Sequence, residues 1–537
     1  MNTRTTIAII GMGPTGAALV CDLLGRWTVR PPHKPILLTL IDPSDEMGMG
    51  YAFRSAHALN MRADTMSIKP HCPGHFRQWL KNQPTLADHH EAEYPPRAVF
   101  GRYLADSLTE SIDSLDSSSV EIEHWRTRAA DLERIGDAFQ VTDGNGIARN
   151  FSGLVLAAGE SRYNALDQHV GQPHFIASPW ETAEIAALPS SANIALAGSS
   201  LSAVDACLQL LAQRHSGRIS CFSRSRGFPK VQGAFEYYQP AIIDRQWLKQ
   251  ATGAGRHDVP LRTVAAGLKE ELDHCMDAPY EPGDPDPREW FSAEGRSVRL
   301  REGEATVFAA SVETAARTPT RWYYALDSLS PLLPELWRAI VEPDQLRFLR
   351  SYRSTWNEYR HSMPLVSATA LLPAVADGQI AIRRGLKSAH PTMTGGRRGW
   401  RITSVRDNSR PHDEEYDFLV DATGGQIQTA VHRDPLLRSA TRRGILRPDA
   451  RGGVRVDFET CQVEDALGDL SENLYLIGPL TFGTHFYTNS FEMNRANASR
   501  VAGEIERALD RPAPAPLRTR VDKRCASRHT IREGCDD

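Results

Sequence analysis

The fold is decided by the N-terminal stretch Thr5-Thr6-Ile7-Ala8-Ile9-Ile10-Gly11-Met12-Gly13-Pro14-Thr15-Gly16-Ala17. A β-branched run feeds into G-x-G-x-x-G, and an apolar helix pattern continues through Ala18, Leu19, Val20, Leu23 and Leu24. Strand, glycines, helix is the context that a dinucleotide fingerprint requires. Gly11 permits the tight turn, Gly13 lets backbone approach a pyrophosphate, and Gly16 lets helix pack on strand. The pyrophosphate would lie on the free N–H groups at the helix start, among them that of Thr15, with Pro14 pre-set for the first helical position.

The next strand-like run, Ile36–Ile41, ends in Asp42, a carboxylate placed to accept ribose hydroxyls. Its distance from Gly16 exceeds the usual ~20 residues, and the segment Arg30-Pro31-Pro32-His33-Lys34-Pro35 accounts for the excess as a loop.

The chain has 537 residues, so about three domains are expected. A net charge of −4 argues against a dedicated nucleic-acid binder. No apolar run reaches the ~18 residues of a membrane span, and the first residues already read as a core strand, so no signal peptide is expected. The eight cysteines are scattered without a C-x-x-C. They read as reduced packing residues of a cytoplasmic protein, with neither a disulfide framework nor a metal site.

After Asp42 come Glu46-Met47-Gly48-Met49-Gly50-Tyr51-Ala52, Leu59-Asn60-Met61, Phe76-Arg77-Gln78-Trp79-Leu80 and Arg97-Ala98-Val99-Phe100-Gly101-Arg102-Tyr103-Leu104. In this order the series resembles the FAD/NAD(P)-binding flavoproteins, and the resemblance covers most of residues 5–160. It implies FAD in the first domain. Gly48, Gly50 and Asn60 are the cofactor candidates here, because glycines let backbone lie against a cofactor and an amide offers both a donor and an acceptor. Phe76, Trp79, Leu80 and Tyr103 read as helix core. A β-meander is expected from Val120–Trp125 and Ala138–Thr142; Gly153–Gly159 then returns to the sheet and resembles the strand end at which such flavoproteins leave the FAD domain, with Gly159 kept for close approach.

A second strand–turn–helix begins at Ala192 and runs through Gly198-Ser199-Ser200-Leu201-Ser202-Ala203, a degraded fingerprint. The strand after it ends without an acid and is followed by Arg224, Arg226 and Lys230. Guanidinium groups there suit a 2′-phosphate, so NADPH is expected rather than NADH. Residues 241–365 read as a helical insertion. It is broken by the proline-rich loop Glu281–Pro287 and ends in Trp356-Asn357-Glu358-Tyr359-Arg360-His361, which resembles a Trp-x-x-x-Arg-His segment of the same family. Near 415 the chain is expected to return to the first domain through Asp421-Ala422-Thr423-Gly424 and the strand into Gly478-Pro479. The helix from Glu492 would then face the flavin pyrimidine. The expected plan is therefore α/β, with two Rossmann-like dinucleotide-binding domains and a helical insertion. FAD parts span 1–165 and 415–510, NADPH parts 166–240 and 366–414, and 511–537 is a disordered tail.

FAD and NADPH together make hydride transfer onto flavin the first half of the chemistry. With no redox dithiol, and with an insertion able to exclude water, oxygen is the favoured acceptor, through a C4a-hydroperoxyflavin. The resemblance extends to flavoprotein monooxygenases that oxidise nitrogen of amino acids such as ornithine, lysine and aspartate. It implies N-hydroxylation of a small amine or amino acid, with Asn60, Arg360, His361, His485 and Tyr487 as the substrate-facing candidates. A reductase passing electrons to another acceptor and a non-catalytic flavin-binding regulator both stay open, as does self-association.

Overall fold

The structure is a computed structural model and describes residues 4–55, 58–115, 119–159, 165–253, 258–276, 303–405, 410–425 and 427–510. The expected loop at 281–287 and the tail from 511 lie outside the described residues.

In chain order the strands are β1 (Thr5–Ile10), β2 (Ile36–Ile41), β3 (Val120–Trp125), β4 (Ala129–Ile135), β5 (Ala138–Asp143), β6 (Ala148–Phe151), β7 (Gly153–Leu156), β8 (Phe175–Ile176), β9 (Ile194–Ala197) and β10 (Ile219–Phe222). They continue with β11 (Val231–Gln232), β12 (Met363–Pro364), β13 (Ile380–Arg383), β14 (Leu386–Thr394), β15 (Arg397–Ser404), β16 (His412–Tyr416), β17 (Phe418–Asp421), β18 (Gln462–Glu464) and β19 (Leu470–Leu476).

Two sheets organise the chain, both parallel except for the antiparallel edge strand β18 of the first. The first has the order β18-β19-β7-β1-β2-β3 and the second β13-β10-β9-β17-β8. Both central strands, β1 and β9, are buried runs of aliphatic residues, as strands covered on two faces must be. The helices Pro14–Val29, Arg97–Asp113 and Phe491–Asp510 pack on one face of the first sheet through Leu19, Leu23, Phe100, Tyr103, Val501 and Ile505. The antiparallel β4-β5-β6 sheet and the helix Pro435–Arg442 close the other face. The helical insertion has its own core of Trp322, Tyr324, Leu326, Trp337 and Tyr359, which runs into Phe482, Phe486 and Met493 near the chain's C-terminal helix. Within it, Glu271 is fully buried and accepts the backbone N–H groups of Ala241, Ile242 and Ile243 and the Tyr238 hydroxyl. That pins the segment entering the insertion, and the Ile243 N–H would otherwise be buried without a partner.

Two expectations are corrected. Val120–Trp125 is not part of the meander: it pairs parallel to β2, Ile36 opposite Val120. As the edge of the sheet it keeps one partly wet face, which gives a parallel strand the alternation of an antiparallel one. The meander is β4-β5-β6. Second, the strand ending in Asp421-Ala422-Thr423-Gly424 does not return to the first sheet. It pairs with β9 from Phe418 opposite Ile194 to Asp421 opposite Ala197, so the second domain extends past 415. The two sheets end their corresponding strands with the same small-residue pattern, Ala157-Ala158-Gly159 and Ala422-Thr423-Gly424, so local sequence could not assign this strand to one of them.

Candidate functional site

At the first site Gly11 has φ +97° and donates its N–H to Ile41 O at 2.9 Å. A Cβ there would collide with the Ala157 carbonyl, so only glycine fits where the chain crosses between β2 and β7. A Cβ at Gly16 would likewise strike Gly11 O. Gly13 caps the helix in extended geometry without a side-chain hydrogen bond, and Pro14 occupies the first helical position, so the first-turn N–H groups remain open. Thr15 is buried, and Gly478, at φ +94°, lies beside it with Pro479 next in the chain. Gly48 donates to Met12 O at 2.7 Å, and Gly50 stacks against Gly13 and Pro14. Asp42 accepts Met12 N–H and Ser44 N–H, each at 2.8 Å, one on each carboxylate oxygen. This fixes an acceptor at the end of β2. Uncapped helix, glycine-walled channel and fixed acid fit a dinucleotide.

The second site repeats the crossing. Gly198, at φ +140°, donates to Phe222 O at 2.6 Å, and Ala422 N–H donates to Ala197 O just as Ala157 N–H donates to Ile10 O. Gly159 and Gly424 match as well, at φ +79° and +78°. Ser200 caps the helix Leu201–Ala212 in extended geometry, again without a side-chain hydrogen bond, while Leu201 and Ser202 form its half-open first turn. Ser199 is drawn inward, its hydroxyl donating to Gly227 O at 2.8 Å.

The three expected cations separate. Arg224 is exposed at the end of β10. Arg226 is instead paired with Glu358 at 3.3 Å and bonded to Thr355, and Lys230 is buried with its Nζ 5.4 Å from the Tyr359 ring centroid. Those two tie the loop to the helix Arg353–Arg360. Sequence reading missed Arg353, whose pKa is lowered by burial and by the nearby charge of Arg224. Two guanidinium groups therefore share this end of the cleft.

Between the two sites the helix Arg353–Arg360 delivers Arg360, 3% exposed. It pairs with Asp327 at 3.0 Å, donates to Ser330 Oγ, and lies 4.6 Å from the Tyr487 ring centroid. Its Nε has no protein partner. His361 stacks on the other part of this group, its ring 18° from the plane of Tyr487, and Asn489 Nδ2 donates to its Nε2 at 2.9 Å. Burial, then Arg360 and Arg353, push the His361 pKa down to about 3, so the ring is a neutral acceptor. Tyr487 is presented by a γ-turn: its N–H bonds His485 O at 2.6 Å around Phe486 at φ +58°, ψ −59°. That conformation is strained for a bulky residue. It is held by Phe486 stacking on Trp337, centroids 4.6 Å apart, and by Trp337 Nε1 donating to Gly483 O at 2.9 Å.

Of the substrate-facing candidates, Arg360, His361 and Tyr487 therefore meet. Asn60 is linked to them, its carbonyl accepting from Gln232 Nε2 while Gln232 Oε1 accepts from Ser362 Oγ, both at 3.3 Å. His485 does not join. It is fully buried with Nε2 3.1 Å from Phe458 O, and burial pushes its pKa down to about 4. It is a packing residue that supports the turn. Sequence reading missed Asp327, Tyr323, Asn489 and Glu492. Burial raises the pKa of Glu492, Arg495 opposes this, and Asp327 adds to it. Only Asn489 and Glu492 had a signal, their nearness in sequence to Tyr487; Asp327 lies in a helix of ordinary composition.

Residues 8–161 match the profile of an FAD–NAD(P)-binding family. The first domain is an FAD–NAD(P)-binding domain. No curated protein matches the chain. Among solved structures, the chain is similar to an L-lysine 6-monooxygenase from Pseudomonas syringae, with 15% identity, TM-score 0.59, and 95% of this chain and 100% of that one covered. It is also similar to an FAD-bound cadaverine monooxygenase of desferrioxamine biosynthesis from Erwinia amylovora, with 14% identity, TM-score 0.53 and both chains fully covered. A third is an ornithine N-hydroxylase from Kutzneria sp. 744, solved with reduced FAD, NADP⁺ and L-ornithine, with 13% identity, TM-score 0.50, and coverage of 94% and 99%. The FAD–NAD(P)-binding domain thus opens a chain with the fold of two-dinucleotide flavoprotein monooxygenases. No helix among the described residues is long and apolar enough to cross a membrane.

Proposed function

We propose that this protein is an FAD- and NADPH-dependent monooxygenase that hydroxylates the nitrogen of a small amine or amino acid. When bound, FAD and NADPH supply hydride transfer and the activation of molecular oxygen. The observation that carries the reading is the buried charged and aromatic cluster at Arg360, with Asp327, Tyr323, Tyr487 and Glu492 around it, on the helical insertion where its core meets the chain's C-terminal helix.

The groups of this cluster suit an amine. Asp327 uses Oδ1 on Arg360, leaving Oδ2 to take an ammonium donor, and Glu492 adds a second carboxylate whose pKa burial raises, which suits it to accept a proton. Transfer of oxygen to nitrogen needs the free base, so a carboxylate that takes the ammonium proton serves the reaction. Arg360 Nε, which has no protein partner, can donate to a substrate carboxylate, and neutral His361, its Nε2 accepting from Asn489, adds no charge beside it. The stacked aromatic rings exclude water. Arg224 and Arg353 at the far end of the cleft suit the 2′-phosphate that separates NADPH from NADH.

The test is a coupled assay. The FAD-loaded protein is given NADPH in air with ornithine, lysine, aspartate and cadaverine, and NADPH consumption and hydroxylamine product are measured. One amine should accelerate consumption and be hydroxylated. Rapid dye or cytochrome reduction with no hydroxylated product would make the protein a reductase, and no flavin bleaching would make it non-catalytic.

A further inference from the structure

The segment Arg97-x-x-x-Gly101-x-Tyr103-Leu104 is explained only in part by core packing. Phe100, Tyr103 and Leu104 are buried in the first domain's core, but Arg97, at the start of the same helix, points away from it. Its Nη2 lies 3.3 Å from Asp205 Oδ2, on the helix Leu201–Ala212 of the second domain. Both residues are more than nine-tenths buried. The Arg97 guanidinium also sits 5.4 Å from the Trp180 ring centroid, in the second domain between β8 and the helix Thr182–Ala186. The residues just after Trp180 are held as well: Tyr51 of the first domain donates to Glu181, and within the second domain Gln209 Nε2 donates to Thr182 O at 2.8 Å.

The placement is specific. Asp205 is one turn into the helix whose N-terminus faces the second dinucleotide site. Arg97 opens the helix Arg97–Asp113, which packs on the helix Pro14–Val29 behind the first site. A buried ion pair adds little net stability, because desolvation cancels most of its attraction, but it is directional and costly to break from one side. It therefore suits a device that fixes geometry. With each cofactor anchored by its pyrophosphate at a helix start, the relative pose of these helices sets the distance between the two rings, and reaction rates are steep in that distance.

We infer that the buried Arg97–Asp205 pair, seated on Trp180, sets the pose of the NADPH domain on the FAD domain, and so acts as a positioning pair for hydride transfer. The inference rests on the two bound cofactors and is independent of the acceptor that finally takes the electrons.

The experiment compares wild type, Asp205→Asn, Arg97→Lys and the uncharged double variant Arg97→Gln/Asp205→Asn as FAD-loaded proteins. Anaerobic stopped-flow spectroscopy reads the limiting rate of flavin reduction, the NADPH Kd and the long-wavelength charge-transfer absorbance. Asp205→Asn and the double variant should keep stoichiometric FAD and an NADPH Kd within about threefold of wild type. Their limiting reduction rate should fall about tenfold or more with loss of the charge-transfer band, while dithionite reduces the flavin as in wild type. Arg97→Lys keeps the cation opposite Asp205 at a shorter reach and should fall in between. An unchanged limiting rate with only a lower Tm would overturn the inference, as would a loss confined to NADPH affinity. If the Asp205→Asn proteins do not fold, Arg97→Lys decides alone: a wild-type rate and charge-transfer band would sink the idea.

Discussion

The two dinucleotide sites use one crossing and finish it differently. In both, a glycine at positive φ donates to the end of the neighbouring strand, Gly11 to Ile41 O and Gly198 to Phe222 O, beneath a small residue on the third strand, Ala157 or Ala422. Past the crossing the two sites diverge. The first keeps Gly13 and Gly16, and Asp42 holds Met12 N–H. The second has Ser200 and the buried Ala203 in those places, turns Ser199 inward, and ends its next strand in Arg224. Ala203 carries a Cβ where Gly16 has none. The crossing is thus the part that the fold cannot lose. The second and third glycines tune how closely a pyrophosphate is gripped, which suits a resident FAD at the first site and an exchanging NADPH at the second.

The sharpest way to break the comparison is to fill each crossing. Gly11→Ala should abolish FAD retention, read as the ratio of flavin to protein absorbance, because the new Cβ meets a backbone carbonyl that cannot move aside. Gly198→Ala should leave the FAD in place and abolish reduction by NADPH. If both variants lost FAD equally, the division of labour would be wrong.

A smaller effect separates the cations of the second site. Arg224→Ala should raise the KM for NADPH about tenfold with NADH unaffected, the loss of one charged contact. Arg226→Ala, which removes the partner of Glu358, should instead lower Tm and change the NADPH:NADH preference little. Equal effects on the two nucleotides at Arg224 would remove it from the 2′-phosphate.

Exchanging the third positions comes next. Gly16→Ala should weaken FAD binding, since its Cβ would strike Gly11 O, whereas Ala203→Gly should cost only about 1 kcal/mol of stability through helix propensity, measured by denaturant titration.

A last expected effect is on acid stability. His361 and His485 are held neutral in the folded protein, at about 3 and about 4, below the ordinary 6.5. The unfolded chain therefore binds more protons between those values, and stability should fall as pH drops from about 6.5 towards 4. His485→Gln, which removes one of the two groups, should flatten that slope in Tm-against-pH measurements.

Legibility in the sequence divides along the same contrast. The first site was readable because strand, glycines, helix and acid lie within residues 5–42 and each has a local physical reason. The second crossing was readable from Gly198, but its third strand was not, because the chain travels through the insertion before β17 and both sheets end that strand alike. The cluster at Arg360 was half legible. Arg360, His361 and Tyr487 stood out as residue types near motifs, and they do meet. Asp327 and Arg353 sit on insertion helices whose pose depends on Trp337, Phe486 and Tyr359 packing together, which no local pattern encodes. His485 drew attention as a histidine near a glycine turn, yet its part is to carry the carbonyl that closes the γ-turn under Tyr487.

The most direct test of the central claim, that two dinucleotide clefts hold flavin and nicotinamide ring to ring, is anaerobic mixing of the purified protein with NADPH while the flavin absorbance is recorded. The expected result is a yellow protein with one FAD per chain that bleaches in a saturable phase, faster with NADPH than with NADH at equal concentration. A colourless protein that cannot be reconstituted with FAD, or a flavin that dithionite reduces and NADPH does not, would contradict it.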